Sequence, residues 1–341
     1  MALTITPFEE QHLEGAARLV AARHTRDRAR EPALPDAFES PKDVRPHLER
    51  LFRRAGTVGV VAQRDGEPVG FLLAAAILPA PTQFIAQFYP PRSMSVPYHG
   101  HALGSDEDPS LYRELYAALA EGWMRRGFFD HFVEVADRDA AAREAWDSLG
   151  FAREVTCAAR EVEQPVAQAD RAGGLPALEV HQAGPEEIEV VAALGEALWQ
   201  YHTGSPIFAP YVREVAESTR EMSLALLAEA ANAHFVAYSD GQPLGMNTFL
   251  ASGFVSPLVV PEACVYLFQG IVYPQTRGGG VGRALLAHAM GWAQEQGYRW
   301  CALHFYAANL SGASFWLANG FRPLEHRLRR HIDERIAWAG V

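Results

Sequence analysis

The sequence predicts a mixed α/β (α+β) fold laid down twice in tandem, and three observations carry that expectation. Short apolar, β-branched runs alternate with amphipathic helical stretches along the chain. One hairpin signature occurs twice, Asp65-Gly66-x-Pro68-x-Gly70 and Asp240-Gly241-x-Pro243-x-Gly245, at an offset of 175 positions. Downstream, Arg113, Leu115, Ala117, Gly127, Trp146, Gly150 and Phe151 return as Arg283, Leu285, Ala287, Gly297, Trp316, Gly320 and Phe321, all at an offset of 170.

In chain order, residues 2–6 (ALTIT) form a short strand, and Glu9 to Arg23 follows as a helix. The proline-punctuated stretch from Arg26 to Arg54 gives a loop and a further helix. Val58–Ala62 and Val69–Ile77 are the arms of the first hairpin. A Pro/Gly/Ala-rich segment then divides the chain into an N-terminal domain 1–163, a linker 164–176 and a C-terminal domain 177–341. The second copy opens with a strand at Ala177–His181 and a helix from Pro185 to Tyr201, and reaches its hairpin at Phe235–Tyr238 and Leu244–Met246.

Composition narrows the functional classes. With 49% hydrophobic and 21% charged residues over 341 positions the chain has the balance of a soluble globular protein of two ordinary domains. No run of eighteen apolar residues occurs and the N-terminus lacks a signal-peptide pattern, so a cytoplasmic protein with no membrane partner is expected, as a monomer or homodimer. A net charge of −11 disfavours a nucleic-acid partner. Cys157, Cys264 and Cys301 are odd in number and far apart, which argues against a disulfide framework or a metal cluster.

The densest functional signal lies between Gln269 and Leu286. Ile271-Val272 ends a strand, Pro274 breaks it, and Arg277-Gly278-Gly279-Gly280-Val281-Gly282 opens the helical pattern that begins at Arg283. Glycines at a helix start remove Cβ atoms and leave N–H groups for an anion, with the helix dipole adding to the attraction. A P-loop would need a lysine here, and the chain has only Lys42. A dinucleotide fingerprint fails as well. Its third glycine falls on Arg283 or Leu285, and residues 300–306 (WCALHFY) carry no ribose-binding carboxylate. Arg277-x-x-Gly280-x-Gly282 after Val272-x-Pro274 resembles the acetyl-coenzyme A pyrophosphate loop of the GNAT acetyltransferase superfamily. Asn309-x(10)-Gly320-Phe321 resembles that superfamily's second cofactor segment.

The resemblance implies two GNAT-like domains, each a mostly antiparallel mixed sheet flanked by helices with a splayed parallel strand pair. It implies acetyl-CoA held by the backbone of Ile271, Val272 and Tyr273, by the loop residues Arg277, Gly278, Gly279, Gly280, Val281, Gly282 and Arg283, and by Asn309 and Trp316. The activity implied is direct attack of a small-molecule amine on the thioester. Many members carry a tyrosine acid where this chain has Trp316, and an indole is no practical acid near neutral pH. Tyr306 is the nearest phenol and His304 lies two residues earlier, though a tyrosine at a strand end is often packed with its hydroxyl in water. For the base, alternation places Glu262 on the face of Tyr266; the opposing expectation is a solvated glutamate after Pro261. Tyr201 and His202 either flank the acceptor amine or form an ordinary buried turn.

Projecting back by 170, Arg277, Gly280 and Gly282 become Glu107, Ser110 and Tyr112. Side chains would fill that cradle, and Asp106, Glu107 and Asp108 would repel a diphosphate, so only the C-terminal copy is expected to bind the cofactor. Two other classes answer to parts of the pattern: a non-catalytic acyl-CoA-binding sensor, on account of Trp316, and a tRNA-dependent aminoacyl transferase, which the acidic balance disfavours.

Overall fold

The computed structural model describes residues 3–166, 178–251, 253 and 255–338, so most of the expected linker lies outside the described residues. The first copy runs β1 (Leu3–Pro7), α1 (Leu13–Arg28), α2 (Pro41–Arg53), β2 (Val58–Arg64), β3 (Glu67–Ile77), β4 (Ser93–Val96), β5 (His101–Leu103), α3 (Leu111–Arg125), β6 (Asp130–Ala136), α4 (Ala140–Asp147) and β7 (Ala152–Glu161). The second runs β8 (Leu178–Gln182), α5 (Ile188–Thr203), α6 (Arg213–Ala228), β9 (Ala233–Ser239), β10 (Gln242–Leu250), β11 (Cys264–Val272), α7 (Val281–Glu295), β12 (Trp300–Tyr306), α8 (Leu310–Ala318) and β13 (Arg322–His331). Thus α1 and α5 stand 175 positions apart at both ends, and β7 and β13 stand 170 apart. Helix α6 has no counterpart in the sequence-based expectation, which passed from the turn after α5 directly to the second hairpin.

Both hairpins are set by their turns. Asp65 and Gly66 take φ of 52° and 83°, Asp240 and Gly241 take 48° and 73°. Two successive left-handed residues match the twist of the flanking strands, which is why Asp-Gly is selected at both places. Strand alternation then divides the core. Val61, Phe71 and Leu73 face α1 and α2 on one side of the sheet, while Val60, Ala62 and Leu72 face α3 and α4 on the other. In the second copy Val236, Met246 and Ile271 pack on α5, and Phe235, Val265 and Leu303 pack on α7.

Among the described residues thirteen strands join one sheet. Its order is β1-β2-β3-β4-β6-β13-β7-β12-β11-β10-β9-β8, with β5 pairing β3. Among the described residues only β4–β6 and β11–β12 are parallel. The last strand of each copy has crossed into the other. β13 pairs with β6 of the first copy, and β7 pairs with β12 of the second. The two exchanged strands meet antiparallel, with His326 opposite Thr156. Those residues are 170 apart, so a local two-fold axis passes between them. Backbone bonds outside the ladder obey the same symmetry. Asp137 N–H donates to Leu324 O at 2.9 Å and Ala307 N–H to Glu154 O at 2.9 Å, each the other shifted by 170.

Each copy therefore borrows the strand that covers its own sheet edge. Residues 1–166 and 178–341 expressed separately are expected to aggregate or self-associate, and on co-expression to co-purify as a one-to-one complex. Size-exclusion chromatography checks this, and a well-behaved monomer of residues 1–166 would contradict it.

Candidate active site

The second copy's parallel pair opens as the resemblance implied. β11 and β12 are paired from Cys264↔Trp300 to Leu267↔Leu303, and no further. At that point β10 shifts register against β11 between Thr248 and Phe249, leaving Phe268 as a bulge. A bulge bends its strand and sharpens the local twist, which turns β11 away from β12. The edge of β11 up to Val272 is thereby left beside a groove.

The glycine loop closes one end of this groove. Gly278 and Gly280 adopt φ of 84° and 85°, a conformation that would strain any side-chain-bearing residue. Gly280 is the N-cap of α7 and no side chain caps the helix. By contrast Asn309 caps α8, its Oδ1 accepting from Gly312 N–H at 3.0 Å. A groove of about 330 Å³ is lined by Ile271, Val272, Arg277, Gly278, Gly280, Val281, Gly282, Arg283, Asn309 and Trp316, so these expected residues do come together. Arg277 donates from Nε to Val272 O at 3.1 Å, and its guanidinium lies 4.3 Å from the centre of the Tyr201 ring. Tyr201 in turn bonds Ser311 Oγ at 2.9 Å. Burial alone would raise the Tyr201 phenol, but Ser311 and the Arg277 charge outweigh it and hold the group below its usual value. Tyr201 thus belongs to the glycine-loop groove rather than to an acceptor wall. Tyr273 also differs from expectation in one respect, since its N–H is already spent on Leu244 O at 3.0 Å.

Beyond Trp316 the groove joins a deeper cavity of about 430 Å³. The two share Leu198, Gly270, Asn309 and Trp316 as walls. A Cβ on Gly270 would come within 2.9 Å of the Trp316 indole, so the absence of a side chain there lets the indole lie against β11. His202 and Tyr306 line this cavity, their rings 5.2 Å apart edge to face. Across the splay the Tyr266 hydroxyl and His304 Nδ1 are hydrogen-bonded at 2.8 Å. Burial lowers His304 to about 3 and His202 to about 4, and raises Tyr306 to about 12.

Glu262 requires correction. It is exposed and outside both cavities, because Ala263 takes φ of 51° and breaks the alternation before β11 begins at Cys264. Moreover it stands at the closed end of the parallel pair, where Ala263 O accepts from Arg299 N–H at 2.8 Å.

The first copy has the same frame with its cleft filled. Tyr112, at the position of Gly282, is buried; its hydroxyl is 3.1 Å from His101 Nδ1 and its ring packs on Trp146. Arg23 donates to the carbonyls of His101 at 2.6 Å and Tyr98 at 2.8 Å; by strand register His101 is the counterpart of Gly270, and Tyr98 lies in the stretch that corresponds to the bulge at Phe268. Leu198 occupies the place of Arg23 in the second copy, 175 positions on. Glu107 is held by Arg64 through two bonds of 2.9 Å. Sequence comparison found Tyr112 but passed over the exchange of Arg23 for Leu198, which the hairpin offset of 175 would have exposed. It also missed the cavity walls Phe84, Phe88, Glu134, Glu325 and Arg327.

A splayed parallel pair above a helix opened by glycines is the arrangement that the resemblance of the two motifs implied. Residues 193–321 match the family model described as the Acetyltransferase (GNAT) family. The whole chain has the fold of a GCN5-related N-acetyltransferase from Sphaerobacter thermophilus, at 16% identity and a TM-score of 0.58, covering 96% of this chain and 95% of that one. It is also similar to a GCN5-related glucosamine N-acetyltransferase region of a fungal multi-domain GH3 β-N-acetylglucosaminidase, at 14% identity and a TM-score of 0.56, covering 96% of this chain and 38% of that one. No curated protein matches the sequence. No helix among the described residues is long and apolar enough to cross a membrane.

One titration follows from the cavity. His304 is neutral when folded down to a pH of about 3 but protonates near 6.5 when unfolded, so the unfolded chain binds the extra proton between those values. The stability gained by keeping it neutral is complete above about pH 6.5 and is lost as the pH falls toward 3. Relative to a His304→Gln variant, the native protein should lose up to about 1.4 kcal/mol per pH unit between pH 6 and 4. Urea denaturation at several pH values measures the difference in slope.

Proposed function

We propose that this protein is an acyl-CoA-dependent N-acyltransferase that moves an acetyl group from acetyl-CoA to an amine of a small molecule. The observation that carries the proposal is the continuity of two unlike cavities. An anion-seeking groove at an uncapped helix start opens, past Gly270 and Trp316, into a deep aromatic-walled chamber. A sensor needs the first cavity only; joined cavities suit two substrates brought face to face. The acidic balance of the chain weighs against tRNA as a partner.

The chain's residues fit the cofactor. The N–H groups at the start of α7 and the Arg277 charge would hold the diphosphate, and the open edge of β11 near Ile271 would meet the amides of the pantetheine arm. Bound acetyl-CoA would supply an acyl carbon activated by its thioester. Asn309, Leu198 and Trp316 form the neck where that carbon would meet the acceptor. Holding both substrates at this neck is the larger part of the rate enhancement. Tyr306, kept protonated by its raised value, holds a proton at its phenol oxygen inside the cavity and is the residue placed to donate it to a departing sulfur. Neither β11 nor β12 brings a carboxylate to the splay, so the amine loses its proton to water.

The filled first copy prescribes the test. Leu198→Arg and Gly282→Tyr copy Arg23 and Tyr112 into the second copy, and each should weaken acetyl-CoA binding by roughly a hundredfold or more in calorimetry, a loss near 2.7 kcal/mol. Ser110→Asp, at the matching helix start of the first copy, should leave affinity unchanged. Equal affinity in all three variants would defeat the proposal. For Tyr306→Phe, kcat for CoA release with an accepted amine should fall by about a hundredfold with acetyl-CoA affinity intact.

A further inference from the structure

The deep cavity continues past the splay into territory the transfer chemistry does not use. Its far wall is built by the first copy and by the exchanged strand. Phe84, Phe88 and Tyr89 come from the segment after β3, Glu134 from β6, and Glu325 and Arg327 from β13. In the ladder Arg327 stands opposite Glu134 and Glu325 opposite Ala136, so both carboxylates lie on one face as diagonal neighbours on adjacent strands.

Glu325 is only 4% exposed, and its Oε2 is buried with no hydrogen-bond partner. Such an oxygen loses its hydration without a hydrogen bond in return, a cost that persists in native structures only for a reason. Glu134 accepts one bond, from Tyr98 N–H at 2.9 Å. The nearby guanidiniums are committed elsewhere. Arg327 donates to Glu154 Oε2 at 3.0 and 2.8 Å and stacks over Tyr89, and Arg23 is spent on backbone carbonyls. Two carboxylates therefore share a chamber with no cation bonded to either on its side chain. Burial, and for Glu325 the neighbouring charge of Glu134 as well, raises both above the ordinary carboxylate value, against the opposing charge of Arg327 and, for Glu325, of Arg23. A cationic guest would relieve both penalties at once.

Position separates this pair from the reacting nitrogen. In the sheet order Glu325 lies two strands from β12 and three from β11. At about 4.8 Å per strand these are roughly 10 and 14 Å along the sheet, too far for direct proton exchange at the thioester. Between the two ends the wall is aromatic. Phe84 packs on Phe88, Trp199 and Phe268 at ring separations of 5.3, 5.7 and 5.7 Å.

Resting on the transferase proposal above, we infer that the acceptor is an elongated amine carrying a second, remote cationic group, with an apolar middle against Phe84, Phe88, Trp199 and Phe268 and the remote cation on Glu134 and Glu325. The first copy and β13 thus form a specificity subsite shaped for a doubly cationic chain. Aromatic faces beside the carboxylates favour an ammonium further.

Calorimetry of the full-length protein without acetyl-CoA tests this, using terminal diamines of four, six and eight carbons, each against the monoamine of the same chain length. At least one diamine should bind about tenfold or more tightly than its monoamine, the worth of one charge-assisted hydrogen bond. Glu325→Gln should bring that ratio to about one while acetyl-CoA affinity stays unchanged, and Glu134→Gln, which keeps an acceptor for Tyr98 N–H, should reduce it. Circular dichroism of both variants checks that they fold. If every diamine binds like its monoamine, or if Glu325→Gln keeps the native ratio, the subsite is wrong. If the diamine preference holds while acetyl-CoA fails to bind, the transferase proposal falls and the cation subsite stands.

Discussion

The antiparallel meeting of β7 and β13 is the contact on which the rest depends. Along the seam Thr156 Oγ1 and His326 Nδ1 lie 3.0 Å apart, and His326 Nε2 is 2.8 Å from Asp137 Oδ1. His326 has no exposed surface, so both ring nitrogens find partners inside the protein. Around this line each copy gives its last strand to the other, and two sheets that would each end in an edge become one continuous sheet. Without this exchange Glu325 and Glu134 would not share a chamber with Tyr306.

The two copies make opposite use of the same backbone opening. Where the second has Leu198 and Gly282, the first has Arg23 and Tyr112. Tyr112 takes the space above the helix start and Arg23 takes the carbonyls of the strand edge, so volume and hydrogen-bonding capacity are both consumed. The first copy contributes instead through its outer parts, the aromatic segment around Phe84 and the tip of β6 at Glu134. Division of labour between cofactor groove and acceptor chamber follows from where each copy kept its opening.

Much of this was written in local sequence. The Asp-Gly turns and the glycine-opened helix are short-range devices whose residue types have direct backbone reasons, and each appears where expected. The filled first cleft was legible too, since Tyr112 falls on Gly282 in the offset of 170. The strand exchange was not. β7 and β13 carry the same alternation whichever neighbour they pair with, and a constant offset is satisfied equally by exchanged and unexchanged strands. Glu262 was misplaced because alternation was carried through Ala263, whose left-handed backbone gives no signal in an alanine. The acceptor chamber was hidden because its walls come from eight separate stretches of the chain, and none of Phe84, Glu134 or Glu325 stands out alone.

The Arg23 plug bears on how such a protein can change. Reopening the first cleft would require more than removing one side chain, because loss of the guanidinium alone would orphan the carbonyls of Tyr98 and His101 and its 3.5 Å ion pair with Asp27. Tyr112 would still block the helix start, and its packing with His101 and Trp146 belongs to the hydrophobic core. Several intermediate sequences would thus be less stable than either end point. The silent copy is held in its present state by the ruggedness of the path back, and a duplicated site once sealed in this way behaves as a ratchet.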